Sequence, residues 1–175
     1  MITTGQALGA VPIAALLTAI LGAAGTSRAQ TPANDNAIGE DDAMVTKAFV
    51  IVKATTSYDE ARALAKAAAT RLDVPIDLRA LAPDDTIGLT FPKDQCRDEF
   101  GEFPCYVPRG RWDDGVYLSI EHSSAYLGWR EGRYIVVLAS GSPHDHDLLA
   151  ALHRAKTVYP DATLKTTPIY LGCIH

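Results

Sequence analysis

The sequence has no block of lysine and arginine residues, no C-x-x-C pair, no G-x-S-x-G elbow and no glycine-rich phosphate loop ahead of a helix. Nucleic-acid binding needs a basic face, and the chain instead carries a formal net charge of −5. The missing C-x-x-C argues against a zinc ribbon or a thioredoxin-type redox centre, and the missing elbow argues against a serine-hydrolase nucleophile. We therefore expect no nucleic-acid partner, no metal and no cofactor.

Charged residues are scarce at the start of the chain. Residues 7–24 are apolar and uncharged, and the small residues Ser27 and Ala29 stand at the two positions that a signal peptidase reads. The pattern predicts a signal peptide over residues 1–29, although the segment before residue 7 has no lysine or arginine. An uncleaved anchor is the alternative, but Pro12 and two glycines in so short a span count against it.

The chain as a whole has the composition of an ordinary globular protein. Hydrophobic residues make up 47% of the sequence and charged residues 21%. Residues 30–46 are polar and acidic and are expected to form a flexible tail, with the folded domain over 47–175. The exported chain is expected in the periplasm or secreted, with no stable membrane insertion after cleavage.

Only three cysteines are present. Cys96 and Cys105 lie nine residues apart in "CRDEFGEFPC", and in an oxidising compartment they are expected to form a disulfide. A disulfide that closes such a short loop stabilises the folded state by on the order of 2–3 kcal/mol. Cys173 is left over, and three pairings of the three cysteines are possible.

A weak internal repeat organises the domain. Shifted by 85 residues, "FVIVKATTS" (49–57) falls on "YIVVLASGS" (134–142), and a helical pattern follows each copy. Both copies read as strand, helix, strand. The predicted elements are a strand at 49–54, a helix at 58–72 and a strand at 75–81, then a strand at 133–139, a helix at 143–158 and a strand at 163–171.

Polar residues mark the starts of both helices. Ser57 with Glu60 predicts a capping box. Ser142 with Asp145 predicts the same device in the second copy, with Pro143 at the first helical position.

The stretch "SPHDHD" suggests a metal site at first sight. His144 and His146 are two residues apart, so on a helix their side chains point to nearly opposite sides. Asp145 and Asp147 complement the dipole of a helix start. We interpret this stretch as a solvated helix N-terminus and expect no metal there.

Two βαβ halves predict an α+β fold, a ferredoxin-like split βαβ sandwich with two helices on one face of an antiparallel sheet. Residues 82–132 exceed what a simple connection needs. They are interpreted as an insertion with further strands at 86–91 and 115–123.

The stretches "AFVIVKATTSYDEARALAKAAATRL" and "RYIVVLASGSPHDHDLLAALHRA" resemble the sporulation-related repeat (SPOR) domain family of bacterial cell-envelope proteins. The likeness covers under half of the chain. The family's Gly-Ser-aromatic turn is represented only by residues 55–57 and 140–142, and its domains lack a segment like 82–132. The resemblance implies a non-enzymatic module that binds peptidoglycan glycan strands stripped of their peptides, through the sheet face opposite the helices.

Strand alternation predicts which side chains form that face. Val50, Val52, Ile135 and Val137 are expected to point toward the helices. Five candidate ligand-binding residues are expected to point away: Phe49, Ile51, Lys53, Tyr134 and Val136. If the inserted strands cover the face, these residues form a second core instead.

Residues 108–132 are rich in charged and aromatic side chains. Three residues of this segment complete the set of candidate ligand-binding residues: Trp112, Glu121 and Trp129. Asp113 or Asp114 with Glu121 would suit glycan cleavage, which needs two carboxylates, although Asp residues before a glycine more often form turns. The preferred function is binding of peptidoglycan glycan. A protein that binds or inhibits a cell-wall hydrolase through the 96–112 loop, and a glycan-cleaving enzyme, are the alternatives.

Overall fold

The computed structural model describes residues 43–172. The predicted signal peptide, most of the predicted tail and Cys173 lie outside this range. The elements are β1 (Met44–Thr55), α1 (Tyr58–Leu72), β2 (Ala82–Asp84), β3 (Gly88–Thr90), α2 (Lys93–Gln95, followed by a π-helical turn over Cys96–Phe100), β4 (Gly115–His122), β5 (Tyr134–Gly141), α3 (His146–Val158) and β6 (Thr163–Tyr170).

Four long strands form one antiparallel sheet in the order β4-β5-β1-β6, and β2 pairs with β3 in a separate two-stranded sheet. The predicted α+β class is confirmed. β1 begins at Met44, three residues before the expected start of the domain. No helix within residues 43–172 is long and apolar enough to cross a membrane.

Both long helices pack on the same face of the sheet and bury small residues against it. α1 buries Ala61, Ala65 and Ala68, and α3 contributes Ala151 and Ala155. Alanines let the helix backbones approach the sheet closely, and the larger volume comes from β-branched and leucine side chains of the strands. The larger sheet residues of this helix-side core are Val50, Val52, Leu118, Ile120, Val136 and Leu138.

The predicted start of α1 is confirmed, and that of α3 is wrong. The hydroxyl of Ser57 accepts a hydrogen bond from the backbone N–H of Glu60, as expected of an N-cap. α3 begins three residues later than predicted, because the carboxylate of Asp145 caps it by accepting from the N–H groups of Asp147 and Leu148. Pro143 therefore precedes the helix.

The predicted strand at 75–81 is wrong. Only Ile76 pairs with a strand, through an isolated parallel bridge to Leu118 on the outer edge of β4. β4 takes the place of that strand beside β5, so the segment interpreted as an insertion supplies one of the four strands of the main sheet. Consecutive left-handed residues, Arg79 (φ 53°) and Ala80 (φ 54°), turn the chain away from the sheet after Ile76.

Between α1 and β4 the chain forms a small satellite unit. The expected disulfide is present, with Cys96 and Cys105 joined at an S–S distance of 2.06 Å. Both cysteines pack with Leu89, Phe91 and Val107 in a separate apolar cluster. The strand expected at 86–91 is confirmed in part as β3.

We predicted which strand side chains point toward the helices. This prediction is correct for β1 and wrong for β5. Ile135 and Val137 point away from the helices, and Val136 lies in the helix-side core. The Tyr134 ring packs against Tyr58 of α1, also on the helix side. The pairing of β1 with β5 is irregular between Val50 and Lys53, and a slip of one residue exchanges the faces of a strand.

Candidate functional site

Most of the sheet face opposite the helices is covered by aromatic packing. Phe49 is fully buried beneath Tyr126 and Trp129, with ring centroids 5.1 Å and 5.5 Å away, and Tyr126 stacks on Trp129 at 4.5 Å. Gly110 (φ 91°) lies so close that an added Cβ would sit 2.6 Å from Phe49 Cζ. The alternative of a second core therefore holds for this part of the face.

Beside that aromatic cluster, a fully buried carboxylate gathers several hydrogen-bond donors. Glu121 Oε2 accepts from Arg79 Nη2 at 2.9 Å, from the Tyr106 hydroxyl at 2.5 Å, and from the Tyr126 hydroxyl and the Arg109 N–H at 3.2 Å. Burial, followed by the charge of Glu121, raises the pKa values of Tyr106 and Tyr126 well above 10, so both phenols stay protonated as donors.

A fully buried cation, Arg109, ties the 106–113 segment to the sheet. Its guanidinium donates to the hydroxyls of Ser140 and Ser119 at 3.0 Å and to the carbonyls of Tyr117 and Gly115 at 2.8 Å. Burial lowers the pKa of Arg109 from its ordinary value. Because these partners are mostly neutral oxygens, the group acts as a multiple donor that fixes the segment over the sheet.

The carboxylates considered for glycan cleavage do not form an open pair. Glu121 has no exposed surface, and the more exposed Asp114 is paired with Lys47. Asp113 accepts from Arg79 Nη1 at 3.1 Å and from the Gly110 N–H at 2.9 Å. These contacts are those of structural ion pairs and of a turn.

A serine and a histidine also meet at the surface. The Ser124 hydroxyl lies 2.9 Å from His122 Nδ1, and burial lowers the pKa of His122. Within residues 43–172, no carboxylate forms a hydrogen bond to this ring, so the orienting third member of a catalytic triad is missing from this contact.

An open groove remains where the aromatic cover ends. It has a volume of about 360 Å³ and lies between the end of β1, the β4–β5 connection and the start of β6. Ile51 and Ile135 line its apolar part together with Trp129, which is 8% exposed. This volume falls at the lower end of the range of small-molecule sites.

The groove is strongly cationic although the protein is acidic. Lys53, Arg130, Arg133 and Lys165 line it together with a single carboxylate, that of Asp161. None of the four basic side chains forms a salt bridge or a side-chain hydrogen bond within the described part of the chain. Four positive charges against one negative charge leave a local net charge of +3, which favours an anionic ligand.

The sequence-predicted candidates end up in different environments. Ile51, Lys53 and Trp129 line the groove, whereas Phe49, Val136 and Glu121 have no exposed surface and cannot contact a ligand there. Tyr134 lies partly buried on the helix side, with its hydroxyl 3.3 Å from the Gly88 carbonyl.

Trp112 stands apart from the groove residues and is 62% exposed. The guanidinium of Arg111 lies 4.6 Å from its ring and 5.3 Å from that of Tyr170. Arg111 also donates to the carbonyl of Gly172. An arginine between two partly exposed aromatic rings has the composition of a protein-binding hot spot.

Three groove cations were missed by reasoning from the sequence. Arg133 was predicted only as the first residue of the strand at 133–139, and Arg130 lies just before the left-handed Gly132 (φ 69°) that precedes this strand. Lys165 could have been considered, because it lies in the predicted strand at 163–171. Alternate residues of a strand share one face, so Thr163 and Lys165 point to the same side of the sheet.

Comparisons with protein-family models, with curated proteins and with solved structures found no match.

Proposed function

We propose that this protein is an exported, non-enzymatic binding protein of the bacterial cell envelope whose ligand is a peptidoglycan glycan strand. The observation that carries the proposal is the cationic groove with its apolar floor. Glycan strands without peptides carry a carboxylate on every second sugar, and they present both apolar sugar faces and hydroxyls. Lys53 and Arg133 suit the carboxylates, while Ile51 and the exposed rim of Trp129 suit the sugar faces.

The proposal includes a finer assignment of the fold. Numbered in chain order, the four sheet strands β1, β4, β5 and β6 lie in the order 4-1-3-2 across an antiparallel sheet with both long helices on one face. This order supports a ferredoxin-like split βαβ sandwich, and with it the SPOR-like core. The disulfide between Cys96 and Cys105 supports an oxidising compartment.

The test is co-sedimentation of the purified protein with peptidoglycan sacculi, both intact and stripped of peptides by an amidase. We expect binding to stripped sacculi and its loss in a Lys53→Ser, Lys165→Ser double variant. Trp112→Ala is the control, because its side chain does not line the groove. Absence of binding to both preparations would reject the proposal.

A second candidate function is binding to a protein of the envelope, and the exposed Trp112 beside Arg111 favours it. The acidic chain suits a basic cell-wall hydrolase. The corresponding test measures the rate of a purified basic muramidase with increasing amounts of this protein. Inhibition that Trp112→Ala abolishes, with unchanged binding to sacculi, would assign this surface to a protein partner.

A further inference from the structure

We infer that this protein has a docking surface for membranes of anionic phospholipids, made of the loop between β4 and β5 (residues 123–133) and the charged side chains of the groove. A membrane surface and a glycan strand are different ligands, so this surface goes beyond the proposed function. Its apolar part is Leu127, which does not line the groove. A glycan bound in the groove would therefore leave the Leu127 side chain in water.

The loop is fastened to the sheet on both sides of Leu127. Its neighbours Tyr126 and Trp129 are 3% and 8% exposed, and both rings pack on Phe49. The carbonyl of Leu127 accepts a hydrogen bond from the Thr167 hydroxyl of β6 at 3.2 Å. These contacts fix the backbone of Leu127 on the sheet face opposite the helices.

The side chain of Leu127 stays in water although its backbone is fixed. It is 66% exposed, more than any other large hydrophobic side chain within residues 43–172. Single exposed leucines are common, so the exposure alone indicates no partner. Here basic groups stand close by, since Arg130 belongs to the same loop and the Lys165 ammonium lies 5.7 Å from the centre of the Trp129 ring. An apolar side chain among cations is the combination with which proteins bind the interface of a membrane.

The charge of the docking surface is opposite to that of the whole chain. Its cations are Lys53, Arg130, Arg133 and Lys165, and its carboxylates are those of Asp161 and the exposed Glu131. Four positive and two negative charges leave a net charge of +2, whereas the whole chain carries −5. A negatively charged membrane therefore attracts this surface and repels the remainder of the molecule, which turns Leu127 toward the lipid.

A phospholipid bilayer supplies both kinds of partner side by side. Its phosphate groups accept hydrogen bonds from guanidinium and ammonium groups, and its hydrocarbon begins directly beneath them. Leu127 can enter this boundary at little cost in backbone entropy, because the contacts with the sheet already order the loop.

The experiment is co-sedimentation of the mature protein with vesicles of two compositions. One kind contains equal parts of phosphatidylglycerol and phosphatidylcholine, and the other contains phosphatidylcholine alone. The mature form, without the predicted signal peptide, is used so that the apolar residues 7–24 cannot insert. Each cation near an anionic surface is worth about fivefold in affinity, so we expect the anionic vesicles to bind about tenfold more tightly or better.

Leu127→Ser tests the apolar contact, and Leu149→Ser is its matched control because Leu149 is 44% exposed on α3, on the other side of the sheet. We expect Leu127→Ser to weaken binding to anionic vesicles by about threefold or more, and Leu149→Ser to change it by less than about twofold.

A lysine pair tests the charged contact in the same way. Lys53→Ser combined with Lys165→Ser should weaken binding to anionic vesicles by about tenfold or more. Lys66→Ser combined with Lys156→Ser removes the same charge from exposed positions on the two helices, and should weaken binding by less than about twofold.

Equal binding to both kinds of vesicle, or binding to neither, would overturn the inference. Unchanged binding of Leu127→Ser would reduce the surface to charge attraction and overturn it too. Self-association without lipid in analytical ultracentrifugation, abolished by Leu127→Ser, would assign the leucine to a second copy of the chain and overturn it as well.

Binding to stripped sacculi separates this inference from the proposed function. Leu127→Ser should keep its binding to sacculi, because Leu127 does not line the groove. Binding to sacculi without binding to vesicles would reject the membrane surface and leave the proposed function intact. Binding to anionic vesicles without binding to sacculi would reject the proposed function and support the membrane surface.

Discussion

Replacing Glu121 by glutamine tests whether its carboxylate is structural. The substitution keeps the shape of the side chain and removes a charge that is fully buried and that pairs with Arg79. Removing one member of a buried ion pair costs about 3–5 kcal/mol, because the other charge loses its buried partner. Arg79 would keep only the more exposed Asp113, at 3.1 Å. The tyrosine hydroxyls of the cluster also lose a charged acceptor. We expect Glu121→Gln to lower the free energy of unfolding by about 3–5 kcal/mol, a large part of the total for a domain of this size.

Urea unfolding at pH 7, followed by circular dichroism, measures this loss. Asp114→Asn is the matched control, since the Lys47–Asp114 pair is more exposed and should be worth at most about 1 kcal/mol. If Glu121→Gln is too unstable to purify, Tyr106→Phe removes a single donor from the same carboxylate and should cost about 1–2 kcal/mol. A loss below about 1 kcal/mol in Glu121→Gln would refute the reasoning.

A double-variant cycle separates the pair from its surroundings. If Arg79 and Glu121 stabilise each other, Arg79→Met combined with Glu121→Gln should cost less than the sum of the two single changes. Additive losses would show that each residue acts through other contacts, such as the 2.9 Å hydrogen bond from Arg79 to the Val107 carbonyl.

Three further outcomes follow from the structure. Replacing both Cys96 and Cys105 by serine should lower the free energy of unfolding by about 2–3 kcal/mol in urea titrations, and an unchanged midpoint would contradict this. Phe49→Ala should cost about 3–5 kcal/mol by the same measurement, because the ring fills a closed aromatic core. Burial lowers the pKa of His122 below its unfolded value near 6.5, so the unfolded chain binds the proton more readily. Stability should therefore fall as the pH drops below about 6.5, and His122→Phe should reduce that fall.

The sequence was most informative where local patterns determine the structure. The limits of α1 follow from its apolar period and from Ser57, and the disulfide follows from the spacing of Cys96 and Cys105. These features depend on neighbours in the chain. Local patterns say much less about which distant segment completes a sheet. For this reason the strand beside β5 was assigned to residues 75–81, whereas the structure has β4 there.

The two faces of β5 were assigned the wrong way round, and this error also concerns a contact between distant segments. The repeat aligned Phe49 with Tyr134, but their side chains lie on opposite faces of the sheet. Matching by burial instead aligns Val50 with Val136, one residue further along. The irregular register between β1 and β5 absorbs such a slip, and an alignment of residue types cannot detect it.

The candidate site was only partly predictable because it is assembled from three separate segments. Lys53 was predicted from strand alternation and Trp129 from the segment 108–132. No pattern of neighbouring residues indicates that both lie close to Lys165 at the start of β6. The buried Arg109 and Glu121 were equally hard to assign. A charged residue in a strand or loop is usually solvated, and its burial follows from partners that lie far away in the sequence.

The segment from 82 to 132 has two opposite effects on the sheet face. Through Gly110, Tyr126 and Trp129 it closes the part of the face around Phe49. Through Arg130 it supplies a cation to the part that stays open, beside Arg133 directly after the segment. A ligand therefore cannot lie along the whole sheet, and its contacts are confined to a groove of about 360 Å³. Selectivity must then come from the charge and shape of a short stretch of ligand. Under the proposed function, strands longer than the groove should gain little affinity per binding site, whereas loss of one carboxylate within it should matter greatly.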